Sequence, residues 1–337
     1  MRVSNCAARV GAVALCAAIC IVTAMPAANA GATITAFDPS GSAGTFAYGI
    51  NDPGAITGYY FDSSKDYHGF VRATDGTITS FDVSGAPETY ALAINDDGVI
   101  VGYYQSSSYY KGYVRAADGT ITTYEAPDSI STLPVAIDRK GETTGSYQDS
   151  GEVWHGFARS PDGSFASFDP TGSIASYPFG INDSRVIAGE YLDGSYVYHG
   201  FVRAADGTLT SFDPSGSTYT SPTGINRGGS IVGTYGDSNN VFHGFVRTTD
   251  GTITSFDPTG STDTFPTGID NKGAVAGYYS DSNHVTHGFL RDPNGTMKSF
   301  DPSGSTYTRP ESIAGHNAIA GYYEDGSDVY HGFLRSK

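Results

Sequence analysis

The chain has 337 residues, with 19 basic and 35 acidic side chains, a net charge of −16 and only three cysteines. This acidic balance argues against nucleic acid and anionic membrane surfaces as partners, because both require clustered positive charge. The three cysteines, Cys6, Cys16 and Cys20, all lie in the first thirty residues, so the remaining chain can form neither a disulfide nor a thiolate metal site.

The N-terminus has the pattern of a secretory signal peptide. Arg2 and Arg9 provide a positive start, residues 10–25 are mostly apolar, and Ala28-Asn29-Ala30 offers the small residues that signal peptidase recognises. We predict that residues 1–30 are cleaved, which changes the net charge from −16 to −18 because two arginines and no acids are lost. The mature chain is then secreted, periplasmic or extracellular, without membrane contact; an uncleaved N-terminal anchor is the alternative.

After this segment, one triplet recurs along the whole chain. His-Gly-Phe or a close variant returns every 43 or 44 residues. The triplets begin at His68, Lys111, His155, His199, His243, His287 and His331. A fixed period of this size is typical of a propeller or a solenoid.

Each repeat contains four predicted strands. The first ends in Gly-Ile-Asn, as at residues 224–226, and a tight turn leads to an apolar second strand such as residues 99–104. The third strand reads His-Gly-Phe-Val-Arg, and an Asp-Gly turn such as Asp75-Gly76 joins it to the fourth. Apolar residues occur on both sides of the strands, which indicates sheets covered on both faces.

The two ends of the repeating region complement each other. Residues 32–38 match a fourth strand without the preceding three, and residues 331–335 match a third strand without its fourth. Pairing them closes a ring and removes the exposed sheet edges, whereas a solenoid would need polar end caps. We therefore predict that residues 31–337 form a single all-β domain, a seven-bladed β-propeller with four-stranded blades of about 44 residues.

The repeat also resembles a known group of proteins. Residues 93–102 (Ala-Ile-Asn-x-x-Gly-Val-Ile-Val-Gly) and the later His-Gly-Phe-Val-Arg resemble the extracellular HAF-repeat family, although that family usually has alanine between histidine and phenylalanine. The resemblance covers the whole predicted mature chain. It implies a secreted bacterial propeller and no particular activity.

An aspartate stands six residues before each histidine. The pairs are Asp62–His68, Asp149–His155, Asp193–His199, Asp237–His243, Asp281–His287 and Asp325–His331. The second repeat has Ser106 and Lys111 instead, so both members are lost together. We interpret the pairs as structural hydrogen bonds that hold the intervening loop rather than as metal ligands, since metal sites need convergent ligands.

Two further repeated positions carry charge. An arginine ends every third strand, and we interpret it as a donor to backbone carbonyls or to an acid of the next blade. An acid, such as Asp38 or Glu125, ends every fourth strand, and we interpret it as a cap of its own Asp-Pro turn. These turns and the Asp–His loops are expected at the same end of the ring, where a bound calcium ion is an alternative; otherwise neither metal nor cofactor is expected.

Site candidates are sought where the copies differ. When the repeats are aligned, two positions of the first strand vary most among the copies. The candidate residues at these positions are Tyr48, Tyr90, Tyr177, Phe179, Arg309 and Glu311. We predict that these residues form the rim of the channel and bind a glycan or a surface protein. The alternative is that the aromatic side chains simply fill the channel.

Three functional classes follow, and binding is the favoured one. The favoured prediction is a monomeric, non-catalytic binding module; a purely structural surface scaffold is the second reading. A polysaccharide hydrolase or lyase is the third, because it would need two carboxylates at a defined separation. The singular acids Glu190 and Glu311 belong to different repeats, so no catalytic residue is assigned.

Overall fold

The computed structural model describes residues 31–336, which contain 28 β-strands and one short 3-10 helix, Gly315–Asn317. The strands in chain order are β1 (Thr33–Phe37), β2 (Gly44–Ile50), β3 (Ile56–Phe61), β4 (Tyr67–Arg72), β5 (Ile78–Phe81), β6 (Thr89–Ile94), β7 (Ile100–Ser106), β8 (Tyr109–Arg115), β9 (Ile121–Tyr124), β10 (Ser129–Ile137), β11 (Thr143–Asp149), β12 (Trp154–Arg159), β13 (Phe165–Phe168), β14 (Ser173–Ile181), β15 (Ile187–Asp193), β16 (Tyr198–Arg203), β17 (Leu209–Phe212), β18 (Tyr219–Ile225), β19 (Ile231–Gly236), β20 (Phe242–Arg247), β21 (Ile253–Phe256), β22 (Ser261–Ile269), β23 (Val275–Asp281), β24 (Thr286–Arg291), β25 (Met297–Phe300), β26 (Ser305–Ala314), β27 (Ala318–Asp325) and β28 (Tyr330–Ser336). Within these residues no helix is long and apolar enough to cross a membrane. The predicted signal peptide lies outside the described residues.

The strands form seven four-stranded antiparallel blades. Blades 1 to 5 are β2–β5, β6–β9, β10–β13, β14–β17 and β18–β21, and blade 6 is β22–β25. Blade 7 combines β26, β27 and β28 with β1, which pairs antiparallel with β28 from Thr33 opposite Ser336 to Phe37 opposite Gly332. The predicted propeller and its closure by the N-terminal strand are thus confirmed.

The triplet glycine and phenylalanine shape the interior of each blade. The phenylalanine, or Tyr113 in blade 2, is fully buried in every copy. A Cβ on Gly69 would lie 2.7 Å from the ring of Phe81, the last strand residue of the same blade. Glycine suits this position because the fourth-strand aromatic ring lies directly on the backbone.

A cation–π contact links each blade to the one before it. The arginine that ends the third strand lies 4.3–5.1 Å from the ring of the preceding fourth strand. The seven pairs are Arg72–Phe37, Arg115–Phe81, Arg159–Tyr124, Arg203–Phe168, Arg247–Phe212, Arg291–Phe256 and Arg335–Phe300. The main partner of the arginine is therefore an aromatic face of the preceding blade rather than the expected acid of the next one. The other expected partner, a backbone carbonyl, accepts from Arg115, Arg159 and Arg247 at 3.4–3.5 Å.

The connections divide the ring into two ends. Because successive strands alternate in direction, the loops after second strands, such as 62–66, lie at the same end as the turns after fourth strands, such as 39–42. We call this end the histidine face. The opposite end, the turn face, carries the turns after first strands, such as 51–54, and the Asp-Gly turns.

Candidate functional site

Each of the six triplet histidines lies between two carboxylates. Nδ1 is 2.7–2.9 Å from the acid that follows the fourth strand. These contacts are His68–Asp82, His155–Asp169, His199–Asp213, His243–Asp257, His287–Asp301 and His331–Asp38. The predicted aspartate, six residues before the histidine, lies 3.4–3.9 Å from Nε2. The predicted pairs are therefore in contact, with hydrogen bonds at His155 and His331, but the acid after the fourth strand, which was not predicted as a partner, lies closer to each histidine.

Each of the two aspartates has a further role that was not predicted from the sequence. Asp62 caps its own loop, since its Oδ1 accepts the backbone N–H groups of Ser64 and Asp66. The acid after the fourth strand instead joins two blades: Asp38 accepts a 2.6 Å hydrogen bond from Thr45 at the start of blade 1 while it binds His331 of blade 7.

Blade 2 shows why its histidine and aspartate are lost together. Lys111 Nζ lies 2.6 Å from Glu125 Oε1, so an ion pair occupies the place of the histidine–aspartate contact. The longer glutamate and the lysine replace the shorter pair across the same two strands. The remaining position, Ser106, has no histidine nearby to contact.

Burial and a neighbouring carboxylate shift the pKa of His155 and of His331 in opposite directions. Burial lowers the pKa of His155, but the hydrogen bond and charge of Asp169 outweigh it, and the pKa is raised overall. The pKa of His331 is raised in the same way by Asp38. Among residues 31–336, no group of three or more His, Cys, Asp or Glu side chains is arranged to hold a metal ion.

A bulge in each first strand aims one variable side chain at the axis. In β2 the pairing with β3 skips Tyr48: Ala47 lies opposite Gly58, and Gly49 opposite Thr57. The same interruption occurs in all seven blades. The bulge residues are Tyr48, Leu92, Val135, Phe179, Thr223, Thr267 and Glu311. Bulges re-aim side chains, and these seven all line one axial cavity.

The axial cavity has a volume of about 570 Å³ and extends to the turn face. Of the predicted rim residues, it is lined by Tyr48, Phe179, Arg309 and Glu311. Phe179 keeps 37% of its surface exposed, the largest exposure of a phenylalanine among the described large hydrophobic residues. The cavity thus joins four of the six predicted site residues.

The other two predicted rim residues, Tyr90 and Tyr177, are not among those that line the cavity. Tyr90 lies edge-on to Tyr59 at 4.9 Å, and its hydroxyl donates to Glu88. Tyr177 packs 6.4 Å from Trp154. Both rings pack against aromatic neighbours instead, whereas the equivalent residues Ser221, Phe265 and Arg309 of blades 5, 6 and 7 do line the cavity. Their placement on the rim is corrected for that reason.

A buried ion pair marks the blade 7 side of the cavity. Arg309 Nε lies 2.7 Å from Glu311 Oε1, and the guanidinium lies over the ring of Tyr278 at 5.0 Å. Burial raises the pKa of Glu311 to about 7, although Arg309 acts to lower it. This pair supplies both a donor and an acceptor at the wall of the cavity.

The second-strand residues that follow the repeated glycine are aromatic on one side of the ring and polar on the other. The second-strand residue after the repeated glycine is Tyr59, Tyr103, Tyr278 or Tyr322 in blades 1, 2, 6 and 7, and Ser146, Glu190 or Thr234 in blades 3, 4 and 5. Glu190 is 8% exposed, and Tyr219 donates to its Oε2 at 3.4 Å. Burial raises the pKa of Glu190 to about 7. Its side chain contacts Ser221, which lines the cavity.

An arginine reaches across the cavity at the turn face. Arg227 Nε lies 2.7 Å from Asp183, and its Nη2 lies 3.9 Å from both Asp52 and Asp96. One side chain of blade 5 therefore contacts carboxylates of blades 4, 1 and 2. This cluster was not predicted from the sequence. It could have been found from one position that varies strongly among the repeats, the residue directly after the repeated Asn or Asp, where Arg139 and Arg227 stand.

Neither a family profile nor a curated protein matches the chain. Among solved structures, a streptogramin B lyase superposes with a TM-score of 0.61 at 15% identity, covering 90% of this chain and 97% of the lyase. The virginiamycin B lyase from Staphylococcus aureus gives 0.61 at 14% identity, covering 91% and 100%. A puromycin hydrolase gives 0.60 at 11% identity, covering 88% of this chain and 54% of the hydrolase. At these identities the likeness shows the propeller fold alone.

Proposed function

We propose that the protein is a secreted binding module that holds a glycan in the axial cavity. The observation that carries this proposal is that all seven bulge residues, the positions where the blades differ most, face one cavity. Repeated residues build the ring, so seven variable side chains that face one space favour ligand selection there.

The lining chemistry suits a sugar. The aromatic rings of Tyr48 and Phe179 provide apolar faces on which a sugar ring can stack. The Arg309–Glu311 pair offers donors and an acceptor to ring hydroxyls at the same wall. A few fixed polar groups among apolar surfaces are typical of a small-molecule site.

Secretion and the HAF-repeat family remain parts of this proposal. They are supported by the signal-peptide pattern of residues 1–30 and by the wording of the repeat. Expression with the native N-terminus should yield protein outside the cytoplasm whose mass fits cleavage after Ala30. Full-length protein retained in the membrane would favour the uncleaved anchor.

The experiment is a thermal-shift screen against oligosaccharides, followed by calorimetric titration of each hit. A ligand at 100 times its Kd should stabilise the fold by about 2.7 kcal/mol. Phe179→Thr and Tyr48→Leu introduce residues that other blades carry at the bulge, and each should weaken binding about tenfold or more, a loss of about 1.4 kcal/mol. Tyr196→Ala is the control, because Tyr196 is 77% exposed on a loop of the histidine face.

Four outcomes would contradict the proposal. If the bulge variants bind the ligand with the same affinity as the wild type, the ligand does not bind in the cavity. No shift with any sugar would favour a protein-binding scaffold, and a shift with calcium reversed by a chelator would favour a cation site. Release of sugar fragments, lost in Glu311→Gln, would favour the hydrolase or lyase reading.

A further inference from the structure

A second, smaller cavity lies between blades 3 and 4, away from the axial cavity. It has a volume of about 170 Å³, and we call it the blade 3–4 pocket. Blade 3 lines it with Glu142, Ser160 and Phe165, and blade 4 with Arg185 and Arg203. Two guanidinium groups therefore face one carboxylate in a chain that is strongly acidic elsewhere.

Arg185 occupies a backbone position that other blades give to glycine. Its φ is 62°, and the equivalent glycines, Gly54, Gly98, Gly141, Gly229 and Gly273, have φ between 78° and 96°. A side chain in this left-handed conformation lowers stability, which glycine avoids. The turn itself does not need an arginine, since five other blades make it without one.

Glu142 is the matching exception on blade 3. The equivalent residue is small or apolar in the next blades, as in Val99 and Val186, whereas Glu142 is a buried carboxylate with 6% exposure. Arg185 Nε lies 2.6 Å from Glu142 Oε2. Because Glu142 binds the arginine through Nε, the two terminal Nη groups of Arg185 are held in place and remain for another contact.

Arg203 provides the second cation. Its guanidinium lies over Phe168 at 4.9 Å, as the equivalent arginines do in other blades, so its position is fixed by the ring architecture. The Nε of Arg203 is buried and makes no hydrogen bond within residues 31–336. The singular residues Glu142 and Arg185 thus bring a second guanidinium to a wall that already carries one.

We propose that the blade 3–4 pocket binds a small oxyanion, a phosphate, sulfate or carboxylate group, between Arg185 and Arg203. Guanidinium groups match the spaced oxygens of such anions, and the Ser160 hydroxyl adds a donor. Glu142 acts as a positioning residue. A group of four or five heavy atoms fits the volume, since a water molecule takes about 30 Å³ of liquid.

The test compares the full secreted protein in phosphate, sulfate, acetate and chloride at equal ionic strength. We expect phosphate or another of the oxyanions to raise the melting temperature by about 2 °C or more over chloride. The double variant Glu142→Val/Arg185→Gly, which installs the blade 2 residues at both positions, should fold without the strained turn and lose that rise. Arg139→Asn removes a charge on the same face outside the pocket and should keep it.

A single variant separates an anion site from an ion pair that only joins the blades. Glu142→Gln keeps the shape of the side chain beside Arg185 but removes the negative charge, so phosphate should bind several-fold more tightly in calorimetric titration. An ion pair without a ligand predicts a lower melting temperature in Glu142→Gln and no phosphate response. The proposal is overturned if wild type shows no oxyanion preference or if the double variant keeps the full response.

Discussion

The contacts that build the blades and join them repeat around the ring, whereas the side chains that face the axis differ from blade to blade. Seven arginine–aromatic contacts and six histidine–carboxylate contacts have nearly the same distances in every copy. The bulge residues range from threonine to phenylalanine and glutamate. The comparison separates residues that hold the fold from residues free to select a ligand.

The largest expected effect comes from emptying a repeated position. Phe201 is fully buried, so Phe201→Ala should lower the free energy of unfolding by about 3–5 kcal/mol. Phe179 is partly exposed in the axial cavity, and Phe179→Ala should cost less than about 1 kcal/mol. Urea unfolding followed by the fluorescence of Trp154, the single tryptophan, measures both. Similar losses for the two variants would erase the distinction between ring and axis.

The next effect concerns a carboxyl group on the polar side of the ring. The pKa of Glu190 is about 7 in the folded protein and about 4.5 in the unfolded chain, so the folded state binds its proton more tightly. The stability from this protonated form is fully present below pH 4.5 and is lost as the pH rises through 7. Across that range the loss should reach up to about 3 kcal/mol.

Glu190→Thr, which installs the blade 5 residue, should flatten this pH dependence in urea unfolding from pH 4.5 to 8. Glu190→Gln is the matched control that keeps the shape of the side chain and should flatten it as well. An unchanged slope in both variants would assign the pH dependence to other groups.

The smallest effect concerns a repeated link that three blades lack. The Asn51, Asn95, Asn182 and Asn226 amides donate to a backbone carbonyl of the next blade at 2.9–3.2 Å. Blade 3 has Asp138 there, and its Oδ2 is buried without a hydrogen-bond partner among residues 31–336. Asp138→Asn should restore the donor and stabilise the fold by about 1–2 kcal/mol.

The gain from Asp138→Asn should be larger at pH 7 than at pH 4. Burial raises the pKa of Asp138, so ionisation of the wild-type carboxyl lowers stability as the pH rises. Urea unfolding at both pH values measures the difference. A variant less stable than wild type at pH 7 would mean that the carboxylate has a partner which the amide cannot replace.

The fold was predictable because it depends on features that can be read directly from the amino-acid sequence. The period of 43 or 44 residues, the Asp-Gly turns and the complementary ends determine seven blades and their closure. The histidine partner was also within reach: if Gly69 lies opposite Phe81 in the hairpin, His68 lies opposite Asp82. The prediction chose the aspartate nearer in sequence, although strand register brings the other one closer.

The candidate site was less predictable because it depends on the bulge and on contacts between distant repeats. Simple alternation puts Tyr90 and Leu92 on one face of a strand, but the bulge directs only Leu92 into the cavity. Arg227 reaches Asp52, which is 175 positions earlier in the chain. No local sequence pattern predicts such a contact, because it forms only when the closed ring brings distant repeats together.

The pairing of β1 with β28 has a consequence for the order in which the chain can be written. Thr33 lies opposite Ser336, so a short linker could join the two ends, and an Asp-Gly turn such as Asp206-Gly207 could become the new start. Such a circular permutant would contain the same seven blades, with a different one assembled from both ends. The position of the chain ends in the sequence is then independent of the blade arrangement. The axial cavity and the blade 3–4 pocket should therefore be unchanged in the permutant.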